Sequence, residues 1–155
     1  RGVRANVSIG FPTLAAMGAW YTIGLCLGLG LGLGVILSGL LGVNAVGAGV
    51  AAIVGAIVGA VFGLAVIGDY AETVAGGVAG LVGALSAAVV VRGAMRRGAT
   101  RLGVAAYVSM VGLLACLLAL IPLVGYLTTV ALPLLAARMR GGQAARFAGL
   151  RTLAK

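Results

Sequence analysis

Charged side chains are scarce in this sequence. Of its 155 residues, two are acidic and 11 are basic, no histidine occurs, and aromatic residues make up 5%. A soluble domain carries charge on about a quarter of its residues, whereas here the charged fraction is 8%. This shortage excludes an ordinary soluble domain and a disordered tail. The net charge of +9 comes from missing acids, and no basic face is interleaved with stacking aromatics, so we expect no nucleic-acid partner.

The missing histidine also limits the chemistry of the chain. Histidine-ligated haem and a histidine general base are excluded. The sequence contains no Ser-His-Asp, Cys-His or phosphate-binding loop motif. Cys26 and Cys116 form neither a disulfide framework nor a zinc pattern, and we expect two free, buried thiols. We therefore predict no enzyme, no metal site and no cofactor, with bound lipid as the only expected small molecule.

Long uncharged stretches separate the charges. Residues 5–68, 73–91 and 102–137 carry none, and one membrane crossing needs about 20 residues. We predict an all-α polytopic transmembrane helix bundle with four spans, at about 13–42, 46–68, 72–91 and 102–121. Because proline interrupts a helix, Pro122 and Pro133 leave open a fifth span at 124–138 or a kinked continuation.

Basic residues cluster at two places along this single transmembrane domain, 1–140. The first cluster is Arg92, Arg96, Arg97 and Arg101, and the second begins with Arg138 and Arg140. Basic flanks favour the cytoplasmic, matrix or stromal side, and the clusters share it only if the chain crosses twice between them. We expect these arginines to contact anionic lipid or a partner. Residues 141–155, beyond a double glycine, are interpreted as a basic interfacial or disordered tail.

Glycine is the most informative residue that is present, with 28 copies. In membrane helices, glycines four residues apart let two backbones approach closely. Such stripes occur in three successive helices: Gly24, Gly28 and Gly32, with Gly30 and Gly34 beside them; Gly55, Gly59 and Gly63; Gly76 and Gly80. The stripes predict close packing inside the bundle. The second stripe of the first helix also suggests docking on a partner or on a second copy.

Asp69 and Glu72 are the only acids, and they stand at capping-box spacing before an apolar run. We predict that Asp69 is the N-cap and Glu72 the third residue of the next helix, where both accept hydrogen bonds from free backbone N–H groups. A cation or proton entry site at the membrane face is the alternative. Four deeper hydroxyls are expected to bond neighbouring carbonyls rather than line a pore: Tyr107, Ser109, Thr128 and Thr129.

The second and third helices together resemble the mitochondrial inner-membrane translocase-channel family, which includes an accessory subunit of respiratory complex I. The resemblance rests on the ridge Gly55-Gly59-Gly63, the short loop with Asp69, the sequence Ala75-Gly76-Gly77 and the basic loop 92–101. It covers about a third of the chain. Position 65 is alanine where that family has an arginine. The resemblance implies a small glycine-rich four-span protein, and no functional residue is carried over.

These patterns predict a non-catalytic integral membrane subunit that packs through its small-residue helix faces in a larger complex. The expected complex is energy-transducing, respiratory or photosynthetic, or a translocation complex. The alternatives are a homo-oligomeric channel or transporter for a small solute or ion, and a lipid- or quinone-contacting membrane protein. Expected partners are other membrane subunits and lipids, anionic ones included. The expected location is an organellar inner membrane, a thylakoid or a bacterial inner membrane.

Overall fold

The computed structural model of the chain describes residues 18–66 and 68–148, and every regular element among them is an α-helix. The helices are α1 (Ala19–Leu41), α2 (Ala45–Val66), α3 (Tyr70–Arg96), α4 (Arg101–Leu118) and α5 (Pro122–Ala148). Helices α1 to α4 are long and apolar enough to cross a membrane, and α5 holds a shorter apolar stretch, Leu123–Met139. The predicted all-α transmembrane bundle is confirmed, and the chain is an integral membrane protein.

Within the described residues, α1 is shorter than the predicted first span. It begins at Ala19, after an extended Gly18, rather than near position 13, and residues 13–17 lie outside the described part. Its 23 residues span about 34 Å at 1.5 Å per residue. This length is close to the hydrocarbon thickness of about 30 Å, so the helix crosses without the strong tilt that a longer span requires.

The third helix is longer than predicted, because it continues beyond Arg92 to Arg96. A charged residue marks the edge of the hydrocarbon layer and need not end the helix. Here the Nε of Arg92 donates to the carbonyl of Ala88 in its own helix, at 3.2 Å. The helix ends before Gly98, whose φ of +84° only glycine adopts readily.

The last apolar stretch is broken between α4 and α5, as its prolines predict. Residues 119–121 form the turn, since Pro122 has no N–H and disfavours a helical Ile121. Pro133 lies inside α5, which continues through Gly141 and Gly142 to Ala148. The segment predicted as a separate tail therefore begins as part of this helix, and residues 149–155 lie outside the described part.

Helix α1 is the centre of the bundle and contacts each of the other four helices. Helix α2 packs against both α1 and α3, whereas α4 and α5 lie mainly on α1 and barely touch each other. Helix α5 starts with Gly125 against Gly24 of α1. Further along, its Leu132 packs on the core cluster that contains Leu31 and Val35. Helix α5 therefore runs in the same direction as α1.

The direction of α5 gives the bundle two chemically different ends. The acidic end holds the start of α1, the α2–α3 turn with Asp69, and the α4–α5 turn. The basic end holds the end of α1 and the arginines that follow α3 and begin α4. Arg138 of α5 lies at this end too, because α5 returns alongside α1. The first basic cluster and Arg138, the first residue of the second, therefore share one end, the arrangement predicted for a chain that crosses twice between them. The side chain of Arg140 lies outside the described part.

Candidate functional site

Glycines bring the backbones of α1, α2 and α3 into direct contact. The carbonyl of Gly76 lies against both Gly30 of α1 and Gly59 of α2. One turn later, the carbonyl of Gly80 lies against Gly34 and Gly55 in the same way. A Cβ atom at Gly30, Gly59 or Gly34 would overlap a carbonyl of α3. Helix α3 therefore packs between α1 and α2 along a line of backbone contact that leaves no room for a side chain.

The other stripe of α1 faces α4 and α5. Gly24 packs against Gly125 of α5, and Gly28 contacts both Gly125 and Ala119 of the α4–α5 turn. Gly32 lies against Gly112 and Cys116 of α4, again without room for a Cβ atom: Gly112 O would be 2.8 Å away. Each stripe of α1 thus has a neighbour inside the chain, so a partner is not needed to explain the second one.

Glu72 has a different environment from the predicted cap. It is the third residue of α3, but its side chain is only 3% exposed and turns into the bundle. Thr22 of α1 donates its hydroxyl to Glu72 Oε1 at 2.7 Å, and Oε2 has no hydrogen-bond partner. The predicted bond to a backbone N–H is not formed, because the same face of α3 that carries Gly76 and Gly80 packs against α1.

Asp69 takes the predicted N-cap position of α3, with an extended backbone, but its side chain forms no capping hydrogen bond. The residue is exposed, and its carbonyl oxygen accepts a bond from the Thr73 hydroxyl at 2.9 Å. Side-chain caps occur at two other helix starts. Asn44 Oδ1 accepts from the Gly47 N–H at 2.6 Å, and Thr100 Oγ1 accepts from the Gly103 N–H at 3.3 Å.

The deeper hydroxyls divide into two groups. Thr128 and Thr129 donate to the carbonyl of Gly125 in their own helix, at 3.0 and 2.8 Å, as predicted. Ser109 Oγ is buried without a hydrogen bond. Tyr107 points outward from α4, 66% exposed, and its hydroxyl bonds to no described residue. The two threonines therefore bond within their own helix. For Tyr107 and Ser109, the predicted hydrogen bond to a neighbouring carbonyl is not formed.

Apolar side chains fill the middle of the bundle. Leu31, Ala79 and Val91 are fully buried in one cluster, and Val35 and Val108 are nearly so. This cluster lies on the basic-end side of Thr22 and Glu72. A path through the interior from Glu72 to the basic end would have to pass this apolar cluster.

The described residues bring together no group of three or more His, Cys, Asp or Glu side chains that could hold a metal ion. Cys26 and Cys116 are free thiols on α1 and α4. Cys26 is buried, while Cys116 is half-buried with its Sγ 3.9 Å from the Leu29 carbonyl. The one ionisable group brought into the interior of the described bundle, besides these thiols, is the carboxyl of Glu72.

Comparisons with known proteins return no match: no family model, no curated protein and no solved structure is similar to this chain. The resemblance to the translocase-channel family therefore stays a prediction.

Proposed function

We propose that the chain is a non-catalytic membrane subunit that joins other membrane proteins through the outer face of α4. The glycine stripes hold the chain's own helices together, so the contact with partners has to use another surface.

The outer face of α4 is that surface. Only Val108 and Gly112 are buried among its 18 residues, and its contacts are mainly with α1. Large apolar side chains cover the rest of it: Leu102, Met110, Leu113 and Leu117. Lipid can cover such a face as well as protein can, so the apolar area alone does not select a partner.

The outward position of Tyr107 supports a protein partner over lipid. Its hydroxyl is on the outward face, without a hydrogen bond to any described residue, about 9 Å along the helix from Arg101. A hydroxyl in an apolar surrounding favours a hydrogen-bond acceptor. We infer that the occupant is a transmembrane helix of another subunit, which offers an acceptor at this depth.

Photo-crosslinking tests the proposal directly. A photoreactive residue at position 107 should capture one protein in stoichiometric yield, and that protein should also copurify with the unmodified chain. Position 126 is the matched control, because the Tyr126 hydroxyl bonds to the Trp20 carbonyl within the chain at 2.8 Å. Tyr107→Phe should weaken copurification, while Tyr126→Phe should leave it unchanged.

Two results would contradict the proposal. Crosslinks from position 107 to lipid alone would leave α4 as an ordinary lipid-facing helix. Crosslinks to a second copy of the chain would favour the homo-oligomeric channel or transporter instead. The first complexes to examine are the energy-transducing and translocation complexes of organellar inner membranes, thylakoids and bacterial inner membranes.

A further inference from the structure

One carboxyl group is enclosed by the helices of this membrane bundle. Glu72 is 3% exposed, whereas Asp69, one turn earlier, is exposed. One oxygen of Glu72 accepts the Thr22 hydroxyl at 2.7 Å, and the other has no partner. A subunit that works by packing alone needs no acid at this place.

The glycine contacts account for the burial of this side chain. Glu72, Gly76 and Gly80 follow one another at four-residue spacing on α3, so they share one face of the helix. The backbone of α2 lies against this region, since Gly63 contacts the Glu72 carbonyl and Gly59 the Gly76 carbonyl. The close approach of the helices therefore continues to Glu72 and withdraws its carboxyl from water.

No positive charge compensates the carboxyl within the described part of the chain. From α1 it is faced by Thr22, and Cys26 is the ionisable residue one turn further on. The packed face of α2 is glycine, and α2 contains no ionisable side chain. At the start of α3, the N-cap Asp69 and the first helical residue Tyr70 are both exposed. The described arginines are at the basic end, and none forms an ion pair with Glu72.

An ionised carboxylate that is buried without a counter-charge is unfavourable, even when it is hydrogen-bonded on one side. The site therefore favours a positively charged ligand on its unpartnered oxygen. A metal ion needs more oxygen ligands than one carboxyl and one hydroxyl supply. A proton needs a single oxygen.

We propose that Glu72 is a proton-binding site inside the bundle, with the proton on Oε2 and the Thr22 hydroxyl on Oε1. The proton enters and leaves through the acidic end, because the apolar cluster around Leu31 and Val91 closes the way to the basic end. The site stores one proton and does not conduct it across the described bundle. This proton-binding site is a property separate from the proposed subunit role, and it does not depend on any partner.

A lipid-soluble carbodiimide tests this proposal on the unmodified protein. The acid transfers its proton to a carbodiimide nitrogen while its oxygen bonds to the central carbon, and an acyl shift then gives a stable N-acylurea from which nothing leaves. We treat the purified chain in lipid vesicles with dicyclohexylcarbodiimide and locate the adduct by peptide mass. Since the chain has only two acidic side chains, the assignment is unambiguous.

The expected result is an adduct on Glu72 and none on Asp69. A water-soluble carbodiimide with an added amine should give the opposite pattern, because it reaches only the exposed Asp69. As a second measurement, the infrared difference between the unmodified protein and Glu72→Gln should show the carbonyl band of a protonated carboxylic acid. Asp69→Asn should not remove this band.

Three results would overturn the proposal. The first is an unreactive Glu72 together with a carboxylate band in the infrared spectrum. The second is protection of Glu72 by sodium or lithium ions, which would show that a small metal cation occupies the site instead of a proton. The third is reaction of Glu72 with the water-soluble reagent at the rate of Asp69, which would show that the carboxyl is not enclosed.

Discussion

The hydroxyl of Thr22 donates a 2.7 Å hydrogen bond to the carboxyl of Glu72, which lies 50 positions further along the chain. It joins the start of α1 to the start of α3 in the bundle interior. It is a side-chain to side-chain hydrogen bond between two different helices. At the acidic end, α1 and α3 are therefore joined by a polar contact. Elsewhere, α1, α2 and α3 are held together by backbone packing at their glycines.

Replacing Thr22 tests the strength of this contact. Thr22→Val keeps the shape of the side chain but leaves both carboxyl oxygens of Glu72 without a partner, which costs about 1–3 kcal/mol. We expect a lower melting temperature in detergent, measured by circular dichroism. Thr22→Ser should retain most of the stability, because it retains the hydroxyl. Thr73→Val is the control for loss of a hydroxyl on the exposed side, and an equal loss there would contradict the special role of Thr22.

The close glycine contacts of α3 with α1 and α2 predict opposite effects for two glycine substitutions. Gly76→Ala places a Cβ against the carbonyl of Gly59 and should destabilise the bundle by about 1–3 kcal/mol, as overpacking does. Gly49→Ala on α2 meets nothing within 4 Å and should be neutral or stabilising by up to about 1 kcal/mol, because alanine favours the helix. Unfolding by a denaturing detergent measures both. Equal effects would mean that the α2–α3 contact is looser than described.

Cys116 reports on the attachment of α4 to α1. Its Sγ lies where a Cβ atom on Gly32 would stand, so Gly32→Leu should push the two helices apart. We expect faster alkylation of Cys116 by a membrane-permeant maleimide, measured by mass, with Cys26 replaced by alanine to leave one thiol. Gly49→Leu is the matched control on an open face. An unchanged rate in Gly32→Leu would contradict the contact.

The orientation of the bundle follows from its basic end. Because basic flanks stay on the cytoplasmic, matrix or stromal side, Arg96, Arg97 and Arg101 should lie there and the Asp69 turn on the other. In a cysteine-free background, Asp69→Cys should react with an impermeant maleimide added outside cells, and Thr100→Cys should react only after permeabilisation. The reverse pattern would contradict the assignment.

Much of this fold could be predicted from the sequence because apolar length and glycine spacing are local properties. The charge-free stretches predict the spans, and Pro122 predicts the break between α4 and α5. Charges predict helix ends less well. Helix α3 continues past Arg92, and the Arg92 side chain bonds to the Ala88 carbonyl of the same helix. The predicted span from about 13 did not anticipate the break at Gly18, because nothing local marks Gly18 as the residue before α1; residues 13–17 lie outside the described part.

The role of Glu72 could not be predicted in the same way. Its spacing from Asp69 fits a capping box, and a capping residue and a buried residue differ only in what packs against them. That packing depends on Gly63 of α2 and Thr22 of α1, which are distant in sequence. One signal was available: Glu72 is four residues before Gly76 and so shares the face of the glycine stripe. The outward Tyr107 likewise depends on which side of α4 meets α1.

We propose that this chain is one subunit of a larger membrane complex. Extraction in a mild detergent or in native lipid discs, followed by mass measurement of the intact assembly, tests it most directly. We predict a stoichiometric assembly of one copy with at least one different membrane protein, which Tyr107→Phe weakens and Tyr126→Phe does not. A monomer with lipid alone, or an assembly of identical copies that conducts ions in liposomes, would contradict the claim.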